Sequence, residues 1–334
     1  MAARTRYAPD RGLTVRMTAT MFLLGLVFVA FVALIIGIMT AAHASGAAII
    51  LVAVIFGGGS AFISLFYSDK IALAAAGARV VSPEQEPRLH GIVDRLCALA
   101  DMDKPRIAIS PARMPNAFAT GRNSEHSVLC VTEGLLYHSQ LTDEELEGIL
   151  AHELSHVAHK DVQVMTYASL LAIVAGLLVR FAFYSELFGG ARRSGGNNSQ
   201  AALLIPLIML ASIVVYAISF LLIRLLSRYR ELAADRSGAL LTQNPSALIN
   251  ALYKVSEGMN GIPTQDLRAA EPLNAFYFAP AMKMSLTRGR SGGGGGKSLS
   301  AIFSTHPSLE KRVEQLNKIQ LELGQPGPDP RGLK

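Results

Sequence analysis

The chain is 334 residues long, 51% apolar and only 17% charged, with a mean hydropathy of +0.34 and no Trp. That hydropathy is high for a soluble domain and points to membrane spans, and the length suffices for one or two domains with a real core. The net charge of +6 reads as basic residues flanking oily stretches, and with no basic run interleaved with aromatics, nucleic-acid binding is set aside.

The elements are expected as follows. Met21–Thr40, MFLLGLVFVAFVALIIGIMT, carries no charge and has the apolar length of a bilayer. A second oily stretch, 46–66, contains Gly57-Gly58-Gly59, tolerated where membrane helices pack closely. Residues 1–67 thus read as an N-terminal transmembrane hairpin. Arg4, Arg6, Arg11 and Arg16 precede it and the short loop inside it has no Lys or Arg, so the N-terminus is expected on the cytoplasmic side.

Residues 68–161 read as a cytoplasmic α+β part. A helix is expected from Ser82-Pro83 to Ala100, followed by strands at 106–110, 116–121 and 127–132. Cys97 and Cys130, the only cysteines, form neither a disulfide framework nor a zinc ribbon and read as buried thiols in a reducing compartment. Thr142-Asp143-Glu144-Glu145 is a capping box, and no Gly or Pro interrupts the helix it opens between Ile149 and Gly176. A second hairpin is expected over 162–226, with spans at about 162–184 and 201–226. Its loop carries Arg192 and Arg193, which speak against a full crossing. Residues 227–323 read as a cytoplasmic helical part. Within it, 260–297 is loop-like and ends in a glycine run. Residues 324–334 read as a disordered tail.

The chemistry concentrates in His152-Glu153-Leu154-Ser155-His156, an H-E-x-x-H motif. Residues four apart share one helix face, so both imidazoles reach one metal ion, and Glu153 beside them is placed to take a proton from water. His159 is disfavoured as a third ligand, because seven residues of continuous helix set it about 10 Å from His152. Glu231 is the better candidate, in R-E-L-A-A-D past the fourth oily run. Asp235, one turn on, is placed to hold a ligating histidine by its second nitrogen. A plain pair of surface acids is the alternative for these two.

Five segments together resemble the HtpX-type membrane zinc metalloproteases, gluzincins related to the CAAX prenyl proteases. They are PNAFATG (115–121), VTEGLL (131–136), LTDEELEGILAHELSHVAHKD (141–161), RELAADRSGA (230–239) and STHPSLEKRVEQL (304–316). The resemblance implies one Zn²⁺ per chain on His152, His156 and Glu231, with Glu153 as general base. It implies a catalytic domain facing the cytoplasm of a bacterial inner membrane, and a stress-response role in clearing misfolded or damaged membrane proteins. It also implies that Asn116, Ala117, Phe118, Ala119 and Thr120 form an edge strand that receives substrate, against a plain interior strand. His306, with Arg312, would donate to the tetrahedral oxyanion, against a capping or core role.

The expected fold is therefore a mostly α protein with a small β-sheet, an α+β zincin-like catalytic domain on about four transmembrane helices. The expected function is zinc-dependent endopeptidase, with membrane proteins and the lipid bilayer as partners. The alternatives are a non-proteolytic zinc-binding adaptor or chaperone-like protein, which would not need Glu153, and a transporter, which would carry ionisable or broken segments at mid-membrane.

Overall fold

A computed structural model describes residues 11–41, 59–121, 126–189, 199–260 and 306–326. The described residues are mostly helical with one small sheet, and the chain divides into two compact units.

The described residues of the unit built from Val15–Leu65 and Gln163–Leu226 are helical. Its described residues come from α1 (Arg11–Ala41), the start of α2 (Gly59–Ala75), α5 (Asp161–Gly189) and α6 (Ser199–Thr242). Leu24, Phe31, Ala175, Leu178, Leu222 and Leu226 pack together inside it. Large apolar side chains also face outward, Phe22 at 74% and Leu210 at 60% exposure, an arrangement stable only against an apolar surrounding. Among the described residues, three helices are long and apolar enough to cross a membrane: Arg11–Ile35, Asp161–Arg180 and Pro206–Thr242. The expected second span, 46–66, is described only from Gly59 onward, where α2 (Gly59–Ala75) begins. Residues 42–58, the loop with Arg192 and Arg193, the 261–305 segment with its glycine run, and the tail beyond 326 lie outside the described residues.

The other unit contains Phe66–Val162 and Ser227–Lys334. Its sheet has the order β1-β2-β4-β3, from β1 (Arg79–Val80), β2 (Arg106–Ser110), β3 (Ala117–Gly121) and β4 (Ser127–Thr132). The strand β4 pairs parallel with β2 and antiparallel with β3. All six of its residues are buried, which explains why SVLCVT is apolar on both alternating faces. On one sheet face Ile107, Ile109 and Leu129 pack with Leu89 and Leu96 of α3 (Pro87–Ala100) and Leu146, Ile149 and Leu150 of α4 (Asp143–Ala158). Leu248 and Leu252 of α7 (Pro245–Asn260) and Leu316 and Ile319 of α8 (Leu309–Glu322) complete that core. On the other face Phe118, Val128 and Cys130 meet Ala72 of α2.

The fourth oily run, expected at 201–226, lies in a helix that continues to Thr242, and two further differences from the sequence expectation bear on the site's unit. The helix expected from Pro83 begins at Pro87 instead. Residues 82–86 are spent on a turn, in which Gln85 and Glu86 donate to the Ser82 carbonyl and Gln85 Oε1 accepts from the Ser82 amide. Pro87 then takes the first helical position, where its missing N–H costs nothing. The second difference matters more. The helix of the HExxH motif does not run on uninterrupted. It ends at Ala158, His159 caps it, and Lys160 adopts a left-handed φ of 55° before α5 starts at Asp161. No Gly or Pro is needed, because the break places Asp161 where an imidazole and a guanidinium both meet its carboxylate.

Candidate metal centre

Helix α4 is set by its capping box: Thr142 Oγ1 accepts from the Glu145 amide at 3.2 Å, and Glu145 Oε2 accepts from the Thr142 amide at 2.9 Å. Lys254 Nζ lies 2.7 Å from the same Glu145 oxygen and ties the helix start to α7. With Leu146, Ile149 and Leu150 committed to the core, helical periodicity turns His152 and His156 to the adjoining stripe. Their rings meet edge to face, centroids 4.9 Å apart at 88°.

Helix α6 brings Glu231 to this stripe. At Gly238 the two helices lie close together, and an added Cβ would stand 3.0 Å from the backbone nitrogen and 3.2 Å from the Cα of His152. A side chain at 238 would crowd the His152 backbone by a few tenths of an ångström, so glycine lets α6 lie close against α4 beside the histidines. His156 Nε2 lies 3.5 Å from Glu231 Oε1, and His152 Nε2 lies 3.8 Å from Glu231 Oε2. One donor atom from each of the three side chains falls within 4.8 Å of the others. Two ligand atoms on a tetrahedral ion with bonds of about 2.1 Å stand about 3.4 Å apart. The separations are thus close to those of a shared ion, and two imidazole nitrogens with one carboxylate are a donor set suited to zinc.

Each of these three side chains has a further polar partner. His152 Nδ1 sits 2.9 Å from Asp235 Oδ1. Asp235 in turn takes both arms of Arg312, Nε at 2.8 Å and Nη2 at 2.6 Å. His156 Nδ1 sits 2.5 Å from Asp161 Oδ2, which Arg230 Nη2 approaches at 2.8 Å. Glu231 Oε2 is 3.0 Å from His306 Nδ1. With Nδ1 of both histidines directed at carboxylates, both Nε2 atoms are turned toward Glu231.

Glu153, 4% exposed, accepts a hydrogen bond from the Ala119 amide of β3 at 3.2 Å. The strand β3 is an edge of the sheet among the described residues. The Thr132 amide donates to the Asn116 carbonyl, so positions 116, 118 and 120 face β4, while 117 and 119 turn their main chain outward. That alternation aims the Ala119 amide at Glu153. Burial pushes the Glu153 carboxyl up to about 8; His156 nearby pulls it down, and Glu231 adds to the rise. Burial also lowers the His152 value, against the pull of Asp235. For His156, burial would act in the same direction, but the hydrogen bond and charge of Asp161 raise it above the ordinary histidine value.

The structure therefore brings His152, Glu153, His156, Glu231, Asp235, His306, Arg312 and the strand from Asn116 to Thr120 into one neighbourhood. His159 is exposed at the helix end. His306 bears on Glu231 and Arg312 on Asp235. Sequence reasoning missed Asp161, Arg230, Gly238 and the Ala119 amide. Asp161 could have been noticed as an acid opening an oily run, and Arg230 as the neighbour of Glu231. Nothing local marks Gly238.

Known proteins resemble this chain over most of its length. The model of peptidase family M48 matches residues 83–320. Protease HtpX homolog 1 of Streptomyces coelicolor is 53% identical over 326 residues, 97% of this chain and 99% of that protein. The Protease HtpX homolog of Moorella thermoacetica is 44% identical over 321 residues, 96% of this chain and 98% of that one. Among solved structures, S. mikatae Ste24p aligns over 92% of this chain and 66% of its own, with 16% identity and a TM-score of 0.47. The family match runs through every site residue named above, and the chain belongs to peptidase family M48, as a metalloprotease whose helices are fit to cross a membrane.

Proposed function

We propose that the metal is a single Zn²⁺ held by His152, His156 and Glu231, and that the chain is an endopeptidase for misfolded or damaged membrane proteins. The observation that carries this is the convergence of two Nε2 atoms and the Glu231 carboxylate beside a buried Glu153. When bound, zinc supplies Lewis acidity, which lowers the pKa of water and polarises a peptide carbonyl. Glu153 takes the proton of the attacking water and later delivers it to the departing amine nitrogen. His306 donates to the tetrahedral oxyanion. Asp235 orients His152, and Arg312 acts through Asp235. An extended substrate adds to the outer edge of β3 along Asn116 to Thr120, through the outward main chain at 117 and the carbonyl of Ala119, whose amide serves Glu153.

The division of labour we propose follows the chain. Residues 1–67 and 162–226 are transmembrane hairpins, 68–161 and 227–323 form the catalytic part, and 324–334 is a tail. The four arginines ahead of the apolar run Met21–Thr40 favour a cytoplasmic N-terminus and catalytic part at a bacterial cytoplasmic (inner) membrane. The decisive comparison is cleavage of an unfolded polypeptide and of a destabilised membrane protein by wild type and Glu153→Gln, with products identified by mass. Cleavage by wild type alone supports the enzyme. Equal behaviour of the two proteins would sink it and favour a zinc-binding adaptor.

A further inference from the structure

The site contains a second histidine–carboxylate–guanidinium relay that the proposed chemistry leaves unused. The first runs from His152 through Asp235 to Arg312. The second runs from His156 Nδ1 to Asp161 Oδ2 at 2.5 Å, and from that oxygen to Arg230 Nη2 at 2.8 Å. Its members are enclosed: the Asp161 side chain is 3% exposed and that of Arg230 12%. Burying a carboxylate next to one imidazole is costly unless a cation completes the pairing, and Arg230 does so.

We propose that Asp161 is a positioning residue of the metal centre, holding His156 with Nε2 toward Glu231, and that Arg230 anchors Asp161 for that purpose. This rests on the reading of His152, His156 and Glu231 as the ligands. A carboxylate that accepts the Nδ1 proton fixes the tautomer in which Nε2 carries the free lone pair, and it also fixes the ring's rotation. The relay has a geometric consequence. Arg230 is the chain neighbour of Glu231, and Asp161 opens α5 just beyond the break that follows α4. One ion pair therefore couples the placement of the second histidine to that of the carboxylate ligand. The left-handed turn at Lys160 is what permits it. On an unbroken helix Asp161 would lie about 140° around the axis from His156, out of reach of its ring.

The test uses the full-length protein in detergent, stripped of metal and titrated with Co²⁺ against a chelator. The visible absorption of bound Co²⁺ reports the geometry of its ligands. Asp161→Asn keeps the shape of the side chain but no longer imposes the tautomer. It is expected to weaken Co²⁺ binding about 10- to 100-fold and to alter the absorption bands. Arg230→Gln, which loosens Asp161 without removing it, is expected to weaken binding in the same direction by about tenfold. Arg236→Gln breaks a peripheral pair with Glu322 and is expected to bind as wild type. If Asp161→Asn does not fold, Arg230→Gln decides the question. Wild-type affinity and spectrum in the folded variants, with His156→Ala binding no Co²⁺, would overturn the role of Asp161 and leave the ligand set standing. No Co²⁺ binding by the wild type would overturn the ligand set itself.

Discussion

Replacing Arg312 with Ala separates a buried charge from its partner. The Arg312 side chain is 3% exposed and that of Asp235 is fully buried. The guanidinium meets both carboxylate oxygens, at 2.8 and 2.6 Å. Removing one member of such a pair leaves the other charge in a poorly solvating interior, a loss of about 3–5 kcal/mol. At about 2–4 °C per kcal/mol for a chain of this size, the apparent unfolding midpoint should fall by about 6–20 °C. The chain has no Trp, so a thiol-reactive dye that reads the exposure of Cys97 and Cys130, both buried, suits the assay. The double variant Asp235→Asn with Arg312→Met should recover at least half of the loss, because neither buried charge then remains. A shift under about 2 °C for Arg312→Ala would refute the reasoning, since that is the scale of a surface ion pair.

Other outcomes follow from the same geometry. Gly238→Ala places a Cβ about 3 Å from the His152 backbone, so it should push Glu231 away from the histidines and weaken metal binding at least tenfold while the far-ultraviolet circular dichroism stays unchanged. Wild-type affinity in that variant would show that α6 can shift without loss. Burial pushes the Cys97 thiol up to about 11 and the Cys130 thiol up to about 12, from 9.0 in both cases. Both raised values favour the protonated thiol in the folded state. The stability they contribute is complete below pH 9 and is lost as pH climbs toward 11 and 12. Accordingly, neither thiol should react with an alkylating reagent at pH 8 in the folded protein, both should react in denaturant, and Cys130→Ala should flatten the decline in stability above pH 9. Native labelling at pH 8 would contradict the burial.

Much of the site is legible in the sequence because its chemistry is local. His152 and His156 follow from a four-residue spacing, the start of α4 from the Thr142 capping box, and Glu231 with Asp235 from a second helical spacing. The strands 106–110 and 127–132 are apolar runs of the right length. What the sequence conceals is set by tertiary packing. Asp161 lies five residues after His156, an offset that couples nothing on a helix, and Lys160 carries no signature of the left-handed turn that makes the offset useful. Gly238 looks like any glycine in a helix until α4 is laid against it. The Arg312 fork points back to Asp235 across a sequence separation that no periodicity encodes. The late start of α3 is a contest between two prolines. The turn at Ser82 settles it in favour of Pro87.

The most direct test of the central claim is the metal content of purified wild type, Glu153→Gln, His156→Ala and Glu231→Ala, measured with peptide cleavage on the same samples. One zinc per chain is expected in wild type and in Glu153→Gln, with cleavage by wild type alone. His156→Ala and Glu231→Ala should lose both the metal and the activity. Stoichiometric zinc retained in Glu231→Ala, or cleavage by Glu153→Gln at the wild-type rate, would contradict the account.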